Sequence, residues 1–208
     1  MSNILVLNSS LSGDASVSRL LVADVVAHLT ARDPGAKVVS RDLSDAKIPH
    51  LTPETVAGVR GSGMSPVETQ ARALSDALIG ELRAADTIVI GAPMYNFSIP
   101  STLKAWFDHV LRAGATFSYS ESGPKGLLSG KQVIVIESRG GFYSEGPGAA
   151  NDFQEPYLRT LLGFIGLTDV TFLRAEKIAF GPDARDQAIN GVRADLARIA
   201  DRPLSAAA

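Results

Sequence analysis

Residues 88–101 read IVIGAPMYNFSIPS and contain, in order, an apolar run, an aromatic turn and the start of a helix. The β-branched residues of the run predict a buried strand at 87–90. Pro100 and Ser101 mark the beginning of a helix predicted at 101–113. Connecting loops usually carry small polar residues. The Met, Tyr, Asn and Phe between this strand and this helix therefore predict a loop with a ligand-binding role.

The same strand-then-helix unit recurs along the chain. Further short apolar runs predict strands at 4–7, 38–43, 133–136 and 169–172, and helical periodicity predicts helices at 18–32, 67–84, 154–165 and 184–200. This alternation predicts a doubly wound α/β fold, in which a five-stranded parallel sheet carries helices on both faces. Segments 51–66 and 114–130 are rich in turn-forming residues and are predicted to be irregular excursions.

The length of 208 residues suits a single domain over 1–208, with residues 203–208 expected to fray. The net charge of −2 gives no excess of positive charge, so we expect no nucleic acid partner. Cysteine is absent, which excludes thiolate catalysis and zinc–thiolate sites. No run approaches a membrane span and no export signal precedes the first strand, so we expect a cytoplasmic protein without a membrane partner.

The three histidines are scattered along the sequence, at His28, His50 and His109. Each is interpreted as a surface residue, and His109 lies off the apolar stripe of its predicted helix. Neither a metal site nor a Ser-His-Asp triad therefore has sequence support, and no G-x-S-x-G or H-E-x-x-H motif occurs.

In a doubly wound sheet, ligands bind beyond the carboxyl ends of the strands, so the loops after Leu7, Ile90 and Ile136 are the places to look. The first of these loops is rich in serine ahead of a helix; its polar residues are Asn8, Ser9, Ser10, Ser12, Ser16 and Ser18. A helix N-terminus and neighbouring hydroxyls suit a phosphate group. The alternative is helix capping, which one or two serines would satisfy. No G-x-G-x-x-G follows the first strand, and the segment GLLSGKQ at 126–132 is too short for a P-loop and is interpreted as a turn.

The second loop carries Met94, Tyr95, Asn96 and Phe97, which would suit a flat conjugated ring. The alternative is that its aromatic residues only cap the core beneath the next helix. The third loop, ESRGGFY at 137–143, has two adjacent glycines that allow close approach of a ligand, or only a tight turn. The first loop would bind a phosphate, the second would pack against a flat ring and the third would donate backbone hydrogen bonds. Together these are the contacts that a flavin mononucleotide (FMN) needs at a flavodoxin-like switch point.

The sequence also resembles a known family over nearly its whole length. The segments that carry the resemblance are NILVLNSS, ALSDALIGELRAADTIVIGAPMYNFSIPSTLKAWFDHVLRAGATFSY, GPKGLLSGKQVIVIESRGG and PYLRTLLGFIGLTDV. They are similar to the FMN-dependent NADH-azoreductases, which belong with the flavodoxin-like NAD(P)H:quinone oxidoreductases. APMYNF and SRGG are specific to that group, whereas the serine loop is less so.

The resemblance implies three sets of FMN contacts. The phosphate would be held by Ser10, Ser16, Val17 and Ser18; the ring and ribityl chain by Met94, Tyr95, Asn96 and Phe97; and the polar edge of the ring by Ser138, Arg139, Gly140 and Gly141. It also implies a homodimer whose substrate cleft is completed by the partner chain and bordered by Tyr119, a possible lid. Leu161 stands where relatives carry an aromatic residue, and the stretch GFYSEGPGAANDFQEPY differs from theirs, which leaves the substrate range open.

The resulting functional prediction is an FMN-dependent enzyme that reduces quinones or aromatic azo compounds with NADH or NADPH. It would transfer two electrons in a ping-pong sequence, with no metal and no catalytic side chain assigned. One alternative is a flavodoxin-type single-electron carrier, although such carriers are typically shorter and strongly acidic. The other is a flavin-free α/β binding or scaffold protein that keeps the fold.

Overall fold

The computed structural model of the chain describes residues 1–45, 47–61, 63, 65–121 and 123–200. Its strands are β1 (Asn3–Asn8), β2 (Lys37–Asp42), β3 (Thr87–Pro93), β4 (Phe117–Ser120), β5 (Gly123–Gly126), β6 (Gln132–Ser138) and β7 (Asp169–Ala175). Its helices are α1 (Val17–Arg32), α2 (Val56–Arg60), α3 (Pro66–Ala84), α4 (Ser101–Val110), α5 (Glu155–Phe164) and α6 (Pro182–Ala200). The prediction of a frayed tail at 203–208 concerns residues outside this described part.

Five of the strands form one sheet in the order β2-β1-β3-β6-β7, and every neighbouring pair is parallel. With the hairpin of β4 and β5 left out, this is the order 2-1-3-4-5 of flavodoxin-like sheets. The predicted fold is confirmed. Strand order reverses at β1, which pairs with β2 on one side and β3 on the other, and a crevice for ligands is expected at that point.

The central strands bury side chains on both faces, which explains their continuous apolar sequences. In β1, Leu5 and Leu7 pack in the cluster beneath α3, α4 and α5, whereas Ile4 and Val6 pack in the cluster beneath α1 and α6. The predicted apolar stripe of α4 lies in the first cluster, as expected. None of the helices in the described ranges combines the length and the apolar composition of a membrane-spanning segment.

The prediction that segment 114–130 is irregular is wrong, because it forms the antiparallel hairpin of β4 and β5. Each strand has only four residues: FSYS alternates aromatic and serine residues too briefly to be decisive, and GPKG contains no strand former. Tertiary contacts position the hairpin. The Leu128 N–H donates to the Ile165 carbonyl at 2.9 Å. A Cβ added to Gly126 would lie 2.1 Å from the Gly166 nitrogen, so only glycine permits this contact between hairpin and α5 end. Segment 51–66 likewise contains a short helix, α2.

The interpretation of His109 as a surface residue is also wrong. Its side chain is buried, and Nε2 lies 3.0 Å from the Pro49 carbonyl oxygen. The residue is off the apolar stripe of α4, but the segment that follows β2 folds over this side of the helix and covers it. His28 is half-buried and His50 is exposed.

Candidate functional site

Three loops leave neighbouring strands of the sheet at its carboxyl edge. We refer to residues 9–16 as the serine loop, residues 94–99 as the aromatic loop and residues 139–144 as the glycine loop; they follow β1, β3 and β6. Because these strands are parallel and adjacent, the sheet itself brings the three predicted binding segments together.

Direct hydrogen bonds join the loops. The Leu11 N–H donates to the Tyr95 hydroxyl oxygen at 2.9 Å, which links the serine loop to the aromatic loop. The Met94 N–H donates to the Ser138 carbonyl at 2.9 Å, which links the aromatic loop to the end of β6. The segments that carry the predicted site residues are therefore in direct contact with one another.

The serine loop ends at the N-terminus of α1, where Ser10, Ser16 and Ser18 are buried. Ser16 is the N-cap of the helix, since its Oγ accepts the Arg19 N–H at 3.2 Å, and this confirms the capping alternative for that serine. The Ser16 and Ser18 hydroxyl oxygens lie 3.1 Å apart. The first intrahelical bond runs from the Leu20 N–H to the Ser16 carbonyl, so the amides of Val17 and Ser18 remain available to a ligand.

Arg19 is not a free positive charge beside this helix terminus. Its Nη2 donates to the Ser10 carbonyl at 3.1 Å, to the Ser44 hydroxyl at 2.9 Å and to Asp42 at 2.6 Å. The hydrogen bond from Arg19 is the main cause that lowers the pKa of the Asp42 carboxyl to about 2. An anion at the serine loop would therefore be held by neutral hydroxyl and amide donors and by the helix dipole, as predicted.

The aromatic loop contains a tight turn closed by two backbone bonds between Tyr95 and Ser98, of 2.9 and 3.2 Å. Between them Asn96 and Phe97 adopt positive φ angles of 49° and 72°. Positive φ at both central positions is the geometry of a type I′ turn, and it is unusual for phenylalanine. Phe97 is 46% exposed, so the alternative that it only caps the core is wrong for this residue.

The first three carbonyl groups of the glycine loop accept hydrogen bonds from the segment after β7. The three carbonyls of Arg139, Gly140 and Gly141 accept N–H groups at 3.2, 3.0 and 2.7 Å; the donors are Ile178, Ala179 and Lys177, respectively. Among the described residues, the amides of Gly140, Gly141 and Phe142 have no hydrogen-bond partner. Three successive donors are thus left at this edge, and the two glycine amides among them suit the close approach of a ligand.

Arg139, by contrast, turns its guanidinium group into the protein. The group is fully buried and pairs with Glu137 at 2.6 Å, Asp152 at 3.0 Å and Glu176 at 3.3 Å. Its Nε donates to the side-chain oxygen of Gln154 at 3.1 Å. Any contact of Arg139 with a ligand beside the glycine loop therefore falls to its backbone.

Arg139 belongs to a buried ionic cluster that the sequence did not predict. We define the cluster as Glu137, Arg139, Asp152, Glu155, Arg174 and Glu176. Burial raises the pKa of the Glu137 carboxyl to about 8, although the charge of Arg139 opposes this change. Burial also acts to raise the pKa of Glu155, but hydrogen bonds from Arg174 and Arg159 outweigh it and the pKa is lowered. The one local sign of this cluster in the sequence is Glu137, a carboxylate that directly follows the apolar run of β6.

Tyr119 and Leu161 are not brought to the three loops within this chain. Tyr119 is 74% exposed on the hairpin and stacks edge to face on Phe117, with ring centroids 5.5 Å apart. The two rings line a cavity of about 400 Å³ together with Arg60, Leu111, Ala113 and Phe164. Leu161 is half-buried on α5 and packs against the core. A lid role for Tyr119 stays a prediction.

The types of hydrogen-bond donor and side chain at the three loops match the parts of an FMN molecule. Hydroxyl and amide donors at the start of α1 suit a phosphate, the exposed Phe97 and half-buried Tyr95 suit a ring, and the two free glycine amides suit its carbonyl and nitrogen edge. Buried Asn8 Oδ1, at the end of β1, has no hydrogen-bond partner among the described residues. The individual FMN contacts stay predictions. Within the described residues, no group of three or more His, Cys, Asp or Glu side chains is arranged so that it could hold a metal ion.

Comparison with known proteins places these features in context. A family model described as flavodoxin-like fold matches residues 2–199. A Hyphomonas neptunium protein named FMN-dependent NADH:quinone oxidoreductase is 60% identical over 200 residues, covering 96% of each chain. A Ralstonia nicotianae protein of the same name is 52% identical and covers 98% of this chain and 99% of its own. The crystal structure of an azoreductase from Bacillus anthracis superposes with a TM-score of 0.88 at 29% identity, covering 97% of this chain and 99% of the other.

Proposed function

The chain belongs to the flavodoxin-like fold family, and from this premise we propose that it is an FMN-dependent NADH:quinone oxidoreductase that also reduces aromatic azo compounds. The names of relatives that are up to 60% identical along nearly the whole chain support this activity. The structural observation that carries the proposal is the convergence of three loops. They set free donors on both sides of an exposed aromatic turn.

Each loop has a separate task in this proposal. The hydroxyls of Ser10, Ser16 and Ser18 and the first amides of α1 bind the phosphate, and the turn at 95–98 supports the ring. The amides of Gly140 and Gly141 donate to the polar edge of the ring and stabilise negative charge there. FMN held by these groups would supply two-electron redox chemistry between NADH or NADPH and the oxidant, for which we propose a ping-pong sequence.

The proposal includes a homodimer, for which the exposed aromatic residues near the aromatic loop offer support. Phe97 and Phe153 are 46% and 59% exposed, and the Phe153 N–H donates to the Phe97 carbonyl at 3.1 Å. Large exposed aromatic side chains that lie together are typical of a surface that another chain or a ligand covers. A second copy would complete the substrate cleft and bring Tyr119 to it. The cytoplasmic location stays a prediction.

An absorption spectrum of the purified protein is the first test. We expect flavin bands, and we expect heat to release FMN rather than FAD. Stopped-flow mixing with NADH should then bleach the flavin, and a quinone should restore it. A colourless protein that takes up no added FMN would overturn the proposal and leave only the fold.

Two further measurements address the electron count and the order of events. Initial rates with varied NADH and quinone should give parallel double-reciprocal lines, as a ping-pong sequence requires. Photoreduction should convert oxidised flavin directly to the two-electron-reduced form. Accumulation of a long-lived one-electron-reduced state would instead favour the flavodoxin-type carrier.

A further inference from the structure

Glu176, which directly follows β7, binds the glycine loop through its side chain. Its Oε1 accepts the backbone N–H groups of Tyr143 at 2.8 Å and of Ser144 at 3.1 Å. Its Oε2 accepts the hydroxyl of Ser144. The same carboxylate pairs with Nη1 of Arg139 at 3.3 Å, and its side chain is 10% exposed. One side chain thus contacts the loop at its first residue and at its last two.

The backbone after Glu176 completes this attachment. The amides of residues 177, 178 and 179 are the three donors that bind the glycine-loop carbonyls. The Glu176 carboxylate takes the amides of Tyr143 and Ser144. Among the backbone donors of the described loop, the amides of Gly140, Gly141 and Phe142 are left over, so the attachment determines which donors remain free.

The charge of Glu176 also has a partner that restrains its position. A carboxylate with so little exposure is costly unless it is paired and hydrogen-bonded, and here it receives three hydrogen bonds besides the pairing with Arg139. Arg139 is in turn held by Glu137 and Asp152. The loop is therefore held near both of its ends by the Glu176 carboxylate, which binds Arg139, Tyr143 and Ser144.

We propose that Glu176 is a positioning residue for cofactor binding, which holds the glycine loop so that the Gly140 and Gly141 amides point at the polar edge of the flavin. This inference rests on the proposed function, and Glu176 itself touches no reacting atom. Its effect is transmitted through the backbone at 139–144. A residue that only stabilised the fold would lower the melting temperature without changing the cofactor's environment.

The test compares Glu176→Ala with Glu176→Gln, in which the amide oxygen still accepts backbone N–H groups but the charge is lost. Glu81→Ala is the matched control, because Glu81 is likewise a carboxylate paired with an arginine, Arg41, but it lies on α3 and outside the glycine loop. For E176A we expect the Kd for FMN to rise about tenfold, and for E176Q about threefold, as for the loss of charge-assisted hydrogen bonds. E81A should lower the melting temperature and leave the Kd unchanged.

Two other readouts separate positioning from general stability. Hydrogen exchange at the Tyr143 and Ser144 amides should accelerate in E176A, with partial protection in E176Q, even without FMN. The reduction potential of bound FMN should change in E176A and not in E81A. The inference is overturned if wild-type protein binds FMN and both Glu176 variants keep its Kd and potential, or if E81A raises the Kd as much. Wild-type protein that binds no FMN would instead overturn the proposed function. If E176A does not fold, the same comparisons are made with E176Q alone.

Discussion

The Tyr95 hydroxyl oxygen accepts a hydrogen bond from the backbone N–H of Leu11 at 2.9 Å, although 84 residues separate the two along the chain. The contact joins the aromatic loop to the serine loop across the switch point of the sheet. It gives Tyr95 a role that its position in the sequence did not indicate, since the aromatic residues of this loop were expected either to support a ring or to cap the core. The hydroxyl group links the loop of the predicted phosphate site to the loop of the predicted ring site.

Tyr95→Phe removes this acceptor and keeps the ring. The Leu11 N–H is near the surface and can turn to water, so we expect a loss of about 1 kcal/mol and a rise of about fivefold in the Kd for FMN. Tyr157→Phe is the control, because Tyr157 packs against the core on α5. Fluorescence titration with FMN measures both. Equal Kd values for Y95F and wild type would show that the link does not organise the site.

The serine loop allows a separation of helix capping from ligand binding. Ser16 caps α1 and Ser65 caps α3, each by accepting an N–H with its side chain. Either serine replaced by alanine should lower the free energy of unfolding by about 1 kcal/mol. We expect only Ser16→Ala to weaken FMN binding as well, because only that hydroxyl lies beside the predicted phosphate. If the Kd for FMN changes equally in S16A and S65A, Ser16 acts only as a helix cap.

The elements that the sequence predicted are those whose signal is local. Strands β1, β3 and β6 are continuous apolar runs and α3 repeats at helical spacing, so their existence follows from periodicity alone. The positions of the three loops followed from the same alternation, since parallel strands place their carboxyl ends at one edge.

What the sequence did not predict depends on residues far apart in the chain. The ionic cluster joins β6 to residues 152–155 and 176, and no local pattern relates these positions. The burial of His109 depends on Pro49, and the hairpin depends on its contact with the end of α5. Such features require the tertiary structure, because the same local sequence would be a loop or a surface helix elsewhere.

The contact between hairpin and α5 end makes Gly126 sensitive to substitution. A Cβ there would meet the backbone of Gly166 at 2.1 Å, so Gly126→Ala should displace the hairpin and cost about 1–3 kcal/mol. Gly80→Ala is the control, because nothing lies within 4 Å of its Cβ position in α3. There the helix propensity of alanine should raise the free energy of unfolding by up to about 1 kcal/mol. Denaturant unfolding measures both, and a G126A protein as stable as wild type would contradict the contact.

The buried carboxyl of Glu137 should make stability fall as the pH rises. Burial raises its pKa to about 8 in the folded chain, against a usual value of 4.5. Between these two values the folded chain binds one more proton than the unfolded chain, so the free energy of unfolding decreases with rising pH and levels off above about 8. Glu155, whose pKa is lowered, acts in the opposite direction and only below its usual value of 4.5.

Glu137→Gln isolates this contribution, since glutamine has nearly the same shape and cannot ionise. From about pH 6 to pH 9, the free energy of unfolding of wild-type protein should fall relative to that of E137Q, and the difference should become constant above the Glu137 pKa. Urea unfolding at several pH values, with Glu81→Gln as a control carboxylate outside the cluster, measures the difference. Parallel curves for wild type and E137Q would mean that Glu137 is ionised throughout this range. Its charge would then be balanced by Arg139 and Arg174, which lie 2.6 and 3.9 Å from its Oε2.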